Sequence, residues 1–446
     1  MSVSSAERII ITNIRLLGSD ELKTIIVQDG KVESIDRQTD SQKHETGAED
    51  SKLSIIDAKG SLAIPGLTDL YTRLREPGMT RKGTLNSESH AAIASGFTRL
   101  LCAPDTQPAI DNIATVELIR QRANLANAAH VIPIAALTVG LKGEQLSELA
   151  TLQSAGCLVA GQADSALEST NVLYSAMEYA ASFDMPLFMT ARDAQLGADG
   201  CAHTGAMATR LGLPSIPIAA ETVALARLLE LCRETGCRLH ISRISSARAV
   251  DMINEAKQAA LPVSCDVGIH HLFFSDEDLA GYDAHFHSAV PFRSVQDRNA
   301  LQAGVKNGSI DAICTDHAPH DIDASLAPFP VTEPGLSAYD WFIPLLLQLP
   351  QRLNMSLNQV LAKFIDAPAM ILTGVANPGL DNALGKPADF FLLDPDQDAS
   401  KRRSHLQSAG ANHPLNTHEA ESLNMSPLKG VVTHAATQER FFDFSV

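Results

Sequence analysis

Two hydrophobic rhythms divide the chain. Near its start, Arg8-Ile-Ile-Ile-Thr-Asn-Ile-Arg15 and residues 24–36 are rich in β-branched positions, and Asp29-Gly30 separates Ile25-Ile26-Val27 from Lys31-Val32-Glu33-Ser34-Ile35. An Asp-Gly pair between two such runs predicts a β-hairpin, because its turn needs positive φ at both central residues. Residues 36–53 are polar and predict a mobile loop, and Ser54-Ile-Ile-Asp57 returns to strand. From Ala63 to about Thr373 the rhythm changes. Short apolar runs (Arg99–Cys102, Val131–Ile134, Cys157–Ala160, Pro186–Met189, Arg238–Ile241, Pro262–Cys265, Ala312–Cys314) alternate with stretches of helical period at 86–95, 115–127, 169–182, 220–235, 247–259 and 294–306. Such alternation predicts parallel strands with crossover helices, and the count suits a (β/α)8 TIM-type barrel. Gly385–Pro395 and Gly430–Thr433 read as strands again. The organisation predicted is a barrel over 63–375 and a small β-sandwich domain built from 1–62 and 376–446.

Composition narrows the function classes. The 446 residues are 45% hydrophobic, enough for a barrel-sized core plus a smaller unit. The net charge of −17 comes with no basic run, which argues against a nucleic-acid partner. The run Phe342-Ile-Pro-Leu-Leu-Leu347 is too short to span a bilayer, and the start of the chain has no signal-peptide pattern, so a cytoplasmic location is expected. The seven cysteines, at 102, 157, 201, 232, 237, 265 and 314, lie mostly in apolar runs and complete no zinc set. They are expected to be reduced core thiols.

The candidate chemistry lies at the ends of the predicted strands, where barrel enzymes place it. Asp69-Leu-Tyr71-Thr-Arg73-Leu-Arg75-Glu-Pro-Gly78 resembles the Asp-x-His-x-His-Leu-Arg-Glu-Pro-Gly of dihydroorotases and related cyclic amidohydrolases. Ala103-Pro-Asp-Thr-Gln-Pro108 is similar to their Met-Pro-Asn-Thr-x-Pro, and Asp266-Val-Gly-Ile-His-His-Leu272 to their Glu-Val-x-Pro-His-His-Leu. Thr315-Asp-His-Ala-Pro-His320 matches in full. The likeness runs over 8–440. It implies an amidohydrolase barrel and, for active members, zinc that lowers the pKa of a bound water for attack on a ring amide.

Carried over one position at a time, the resemblance places the first two metal-binding histidines at Tyr71 and Arg73. The bridging carboxylate falls at Gln162 or Ala163, with Asp164 one or two positions late. The next two histidines fall at Thr190 and Arg243, and only Asp316 keeps a ligating type. Arginine is a permanent cation with no lone pair to give. Zinc is therefore expected to be lost, and Asp316 to pair with Arg73, Arg243 or both. On the substrate side Arg75 matches the arginine that grips a carboxylate. Asp105 stands for an asparagine, Ala289 for another, and Pro334-Gly335 resembles the family's Pro-Gly. Asp316, His317, Arg75, Asp105, Pro334 and Gly335 are thus expected to be vestigial.

The resemblance is strongest to inactive dihydroorotase homologues that accompany aspartate carbamoyltransferase in some bacteria. It implies a non-catalytic assembly subunit, with that transferase's catalytic chain as partner, in a homo- or hetero-oligomer. The competing reading is an active cyclic amidohydrolase drawing ligands from Asp164, His285, His287 or His317 beside Asp316. A third is a sensor that reads an acidic pyrimidine intermediate through Arg75. Bland roles are expected beside these: at least one of His270 and His271 as a buried core histidine, and Arg75 bound to a neighbour such as Asp105.

Overall fold

The computed structural model describes residues 2–4, 8–37, 53–398, 407–413, 429–437 and 441–443. The predicted hairpin forms between Leu22–Gln28 and Lys31–Arg37, with Asp29 and Gly30 at φ 51° and 71° as their turn requires. Most of the polar loop expected at 36–53 lies outside the described residues.

Eight parallel strands make the barrel. They are β1 (Leu67–Thr72), β2 (Phe97–Cys102), β3 (His130–Pro133, continued by Ala135–Ala136), β4 (Ala160–Gly161), β5 (Leu187–Thr190), β6 (Leu239–Ser242), β7 (Val263–Gly268) and β8 (Ala312–Cys314). Neighbours pair in sequence order, and a parallel bridge between Thr72 and His317 closes the ring. Helices separate the strands as the sequence predicts, among them α1 (Leu85–Ile93), whose N-cap Thr84 exchanges hydrogen bonds with Ser87. Such caps satisfy amides that the first helical turn leaves unpaired.

Alternation along the strands builds two layers. Leu187, Met189, Leu239 and Ile241 face outward and join the apolar sides of the helices. Leu70, Leu101, Ile132, Ile134, Val159 and Phe188 fill the interior, and Ile371 and Leu372 pack beneath them. The barrel interior is therefore filled, and the polar and charged side chains gather at the C-terminal ends of the strands. The seven cysteines are buried and free, and burial pushes the Cys102 and Cys157 thiols up to about 12.

Strands from both ends of the chain share a second, nine-stranded sheet, in which Phe390–Asp398 lies between Lys429–Ala436 and Leu62–Pro65. Leu62–Pro65 pairs with Leu393–Phe390, so the sheet takes in residues up to Pro65 and the barrel begins at β1. Residues 407–413 leave the sheet and lie on the barrel, through contacts described below. Among the described residues no helix is long and apolar enough to cross a membrane.

Candidate functional site

The ends of four strands turn inward at the open mouth. Arg75, Ala163, Arg243 and Asp316 all hold left-handed backbone, with φ of 63°, 52°, 59° and 49°. Non-glycine residues adopt this region only where their surroundings hold them there. At Arg243 the hold is explicit. Its amide donates to Asp266 Oδ1 at 2.6 Å, and Asp266 Oδ2 lies 3.1 Å from His240 Nε2. Ser264 Oγ is 2.9 Å from the other ring nitrogen. With a carboxylate at Nε2, that nitrogen carries the proton and Nδ1 accepts from the serine.

Two guanidinium groups fill the mouth. Arg73 Nε donates to Asp105 at 2.7 Å, and its terminal nitrogens reach Asp164 at 2.5 Å and Asp316 at 3.8 Å. Arg243, fully buried, donates to Asp316 at 2.9 Å, to Thr190 Oγ1 at 2.6 Å and to the second oxygen of Asp164. Tyr71 packs its ring 4.0 Å from the Arg243 guanidinium carbon, and its hydroxyl accepts from Arg73 at 3.2 Å. Asp164 thus bridges the two arginines, one oxygen to each.

Burial opposes ionisation of Asp164, but Arg243 and Arg73 outweigh it and hold this carboxyl well below the usual range. Burial of Asp316 is only partly offset by the same arginines, and its carboxyl is pushed up. Burial also works against the charge on both guanidinium groups. The surrounding carboxylates reverse that, Asp105 first for Arg73 and Asp164 first for Arg243. The cavity beside the network, lined by Asp164, Thr190, Arg192, Arg243 and Arg293 among others, measures about 30 Å³. Ligand pockets for small molecules are roughly 300–1,000 Å³.

Several sequence expectations are corrected. Gln162 is not in the mouth: its amide bonds to Thr138 Oγ1 and to the Leu141 carbonyl. Strand β4 begins at Ala160, later than the apolar run suggests, so Asp164 reaches the position assigned to Gln162. Asp105 does not face an open ligand site, because Arg73 occupies it. Arg75 does not pair with Asp105. It donates to the Pro319 carbonyl at 2.9 Å and lies 2.9 Å from His320 Nε2. Burial, then repulsion from Arg73, pushes Arg75 down to about 10.

The histidines offered as alternative metal ligands are engaged elsewhere. His317 Nε2 meets Glu88 at 2.8 Å, while its Nδ1 accepts from the Ala338 amide. His285 meets Asp283 and His287 meets Thr332. Both His270 and His271 are buried, facing His413 and the Val290 carbonyl. Pro334 presents its carbonyl to His320, and Gly335 sits at φ 150°, where an added Cβ would come within 2.8 Å of both the Ala318 Cβ and its carbonyl oxygen. Gly335→Ala is expected to cost about 1–3 kcal/mol, read as a lowered urea midpoint with unchanged slope.

The comparisons place this geometry in a family. The model of dihydro-orotase-like domains matches residues 60–249. A dihydroorotase-like protein of Pseudomonas putida is 43% identical over 81% of this chain and 85% of its own length. The chain belongs to the dihydroorotase-like family. A dihydroorotase of Syntrophotalea carbinolica is 35% identical over 92% of this chain and 94% of its own. Among solved structures, an L-hydantoinase (dihydropyrimidinase) from Arthrobacter aurescens superposes with a TM-score of 0.76 over 96% of this chain and 94% of its own, at 21% identity. That likeness is one of fold, the amidohydrolase TIM barrel. Within the dihydroorotase-like framework, the ion-pair network at the mouth lies at the strand ends where the chemistry of barrel enzymes is found.

Proposed function

We propose that this dihydroorotase-like chain does not hydrolyse cyclic amides and acts as a structural subunit in the assembly of aspartate carbamoyltransferase. The observation that carries the first half is the bridged pair Arg73–Asp164–Arg243. Zinc needs free lone pairs from imidazole or carboxylate. Here both Asp164 oxygens accept from guanidinium nitrogens, and Asp316 accepts from Arg243. Two permanent cations also stand among the three carboxylates. Two unit charges about 4 Å apart repel by about 4 kcal/mol at an effective dielectric of about 20. The donor set therefore does not fit a divalent ion, and the small cavity does not fit a pyrimidine ring.

The second half rests on the family resemblance and on the logic of a barrel retained after its mouth has been filled. The likeness of fold to the solved hydantoinase covers 96% of the chain, and fold and catalysis are separable properties. The relative at 43% identity is itself described as dihydroorotase-like and not as a dihydroorotase.

Purified protein tests both halves. Elemental analysis is expected to find well under one zinc per chain. Turnover of dihydroorotate and of carbamoyl aspartate is expected to stay at the uncatalysed rate, with and without added zinc. Stoichiometric zinc together with turnover would make the chain an enzyme and sink the first half. Co-expression with the aspartate carbamoyltransferase catalytic chain of the same organism is expected to give one co-eluting complex. Independent elution of the two, with transferase assembly and activity unaffected by this chain, would reject the second half.

A further inference from the structure

Residues 407–413 read Gln-Ser-Ala-Gly-Ala-Asn-His, with no large apolar side chain, yet Gly410, Asn412 and His413 are buried. The segment is fastened to the barrel almost wholly by polar contacts. The Gln407 and Ser408 amides donate to the Asp340 carboxylate at 2.9 and 3.0 Å. Ser408 Oγ and the Ala409 amide donate to Glu88 at 2.6 and 3.0 Å. Asn412 donates to the Ala318 and Gly335 carbonyls at 2.9 and 2.8 Å and accepts from the His320 amide at 2.7 Å. It thereby ties together the two loops that follow β8 at the mouth. His413, fully buried, ends the segment with its Nε2 3.1 Å from His270 Nε2.

Two ring nitrogens in contact share one proton: one donates and the other must accept. A proton added to the accepting nitrogen replaces that hydrogen bond with two facing N–H groups and charges one ring, and a further proton on the other ring gives two like charges. Among the described residues, burial and then the imidazoles of His270, His285 and His317 act on His413 in the same direction. The Glu88 carboxylate is bound to His317, Ser408 and Ala409. Asp340 faces the other end of the segment, and the Trp341 ring stacks on His413 with centroids 6.1 Å apart.

We propose that residues 407–413 form a clasp over the barrel mouth that opens in acid, with the buried His270–His413 contact as its proton-sensitive latch. Burial holds both imidazoles below their usual range, His270 at about 3, so the closed clasp keeps them uncharged near neutral pH. Opening hydrates one or both rings and lets them take up protons below their ordinary pKa of about 6.5. Each proton taken up on opening makes the open state about 10-fold more favourable per pH unit below that value, so two give about 100-fold. This reading is independent of whether the mouth catalyses any reaction.

Hydrogen exchange on the intact chain, followed by mass spectrometry and corrected for intrinsic rates, measures the opening directly. Amides in 407–413 are expected to lose at least about 10-fold in protection between pH 7 and pH 5.5, while those of β5 and β6 keep theirs. His413→Gln removes one titrating ring and is expected to flatten this pH dependence by at least one proton. His270→Gln provides the same test from the barrel side should the first variant fold poorly. Asp340→Asn weakens the other end and is expected to loosen the segment at all pH values without changing the slope. Equal protection at both pH values, loss only in step with the barrel strands, or an unchanged slope in a folded glutamine variant would each overturn the proposal.

Discussion

Asp164→Ala is expected to destabilise the protein by about 3–5 kcal/mol, because it removes the carboxylate that hydrogen-bonds both buried guanidinium groups. Arg73 would keep Asp105 at 2.7 Å and Asp316 at 3.8 Å, but Arg243 would retain a single carboxylate, Asp316, whose own carboxyl is pushed up by burial. The cost arises from leaving positive charge in a site with little water, and does not measure what the ion pair contributes. Replacing the whole set by apolar residues should therefore cost less than deleting its centre. A triple change, Arg73→Met, Arg243→Met and Asp164→Leu, removes two positive charges and one negative one and leaves Asp105 and Asp316 to take up protons. Equilibrium urea unfolding at pH 7 checks both, reading the midpoint at constant slope. A loss below about 1 kcal/mol for Asp164→Ala would mean that the network is solvated and contributes as little as an exposed ion pair.

How far the sequence carried this reading depends on which forces left a pattern in it. Barrel strands and helices were legible because each buries one face, and burial imposes period 2 or 3.6 on apolar positions. The hairpin was legible because Asp29-Gly30 is a local conformational demand. The resemblance to dihydroorotases then placed Tyr71, Arg73, Thr190, Arg243 and Asp316 at one mouth. Position 164 was left open between neighbours for a nameable reason: β4 starts at the last residue of the run that announces it, and the left-handed turn at Ala163 redirects the chain. Arg75 failed because its partner is a backbone carbonyl, at Pro319, which sequence does not mark. Residues 407–413 left no trace at all. They have no apolar period, and the side chains and carbonyls that hold them, such as Glu88, Asp340 and Ala318, are distant in sequence.

Lowering the pH from 7 to 5 is expected to remove roughly 5–8 kcal/mol of stability, most of what a domain ordinarily has. Burial pushes several histidines down, among them His270 and His320 to about 3 and His271 and His287 to about 4, and it holds His413 well below its usual range. Each stays neutral when folded but binds a proton when unfolded below about pH 6.5. Their contribution is therefore fully present above that value and is lost as pH falls. The unfolded chain gains about 2 kcal/mol per histidine over this interval, or about 8 kcal/mol for His270, His271, His287 and His320 together. Carboxyls raised by burial act in the opposite sense. Asp69, pushed up to about 6 by burial against its hydrogen bonds from Thr315 and Tyr339, takes up its proton in the folded state first and returns about 1 kcal/mol, and Asp316 shifts in the same direction. Asp164 and Glu88 are held low, so their stabilisation is fully present across this interval and is lost only as the pH falls through and below the ordinary carboxylate range. Urea midpoints at half-unit steps of pH should therefore fall most steeply between 6.5 and 5. A midpoint flat across that window would mean that these imidazoles keep near-normal pKa values in the folded chain, and that water reaches them.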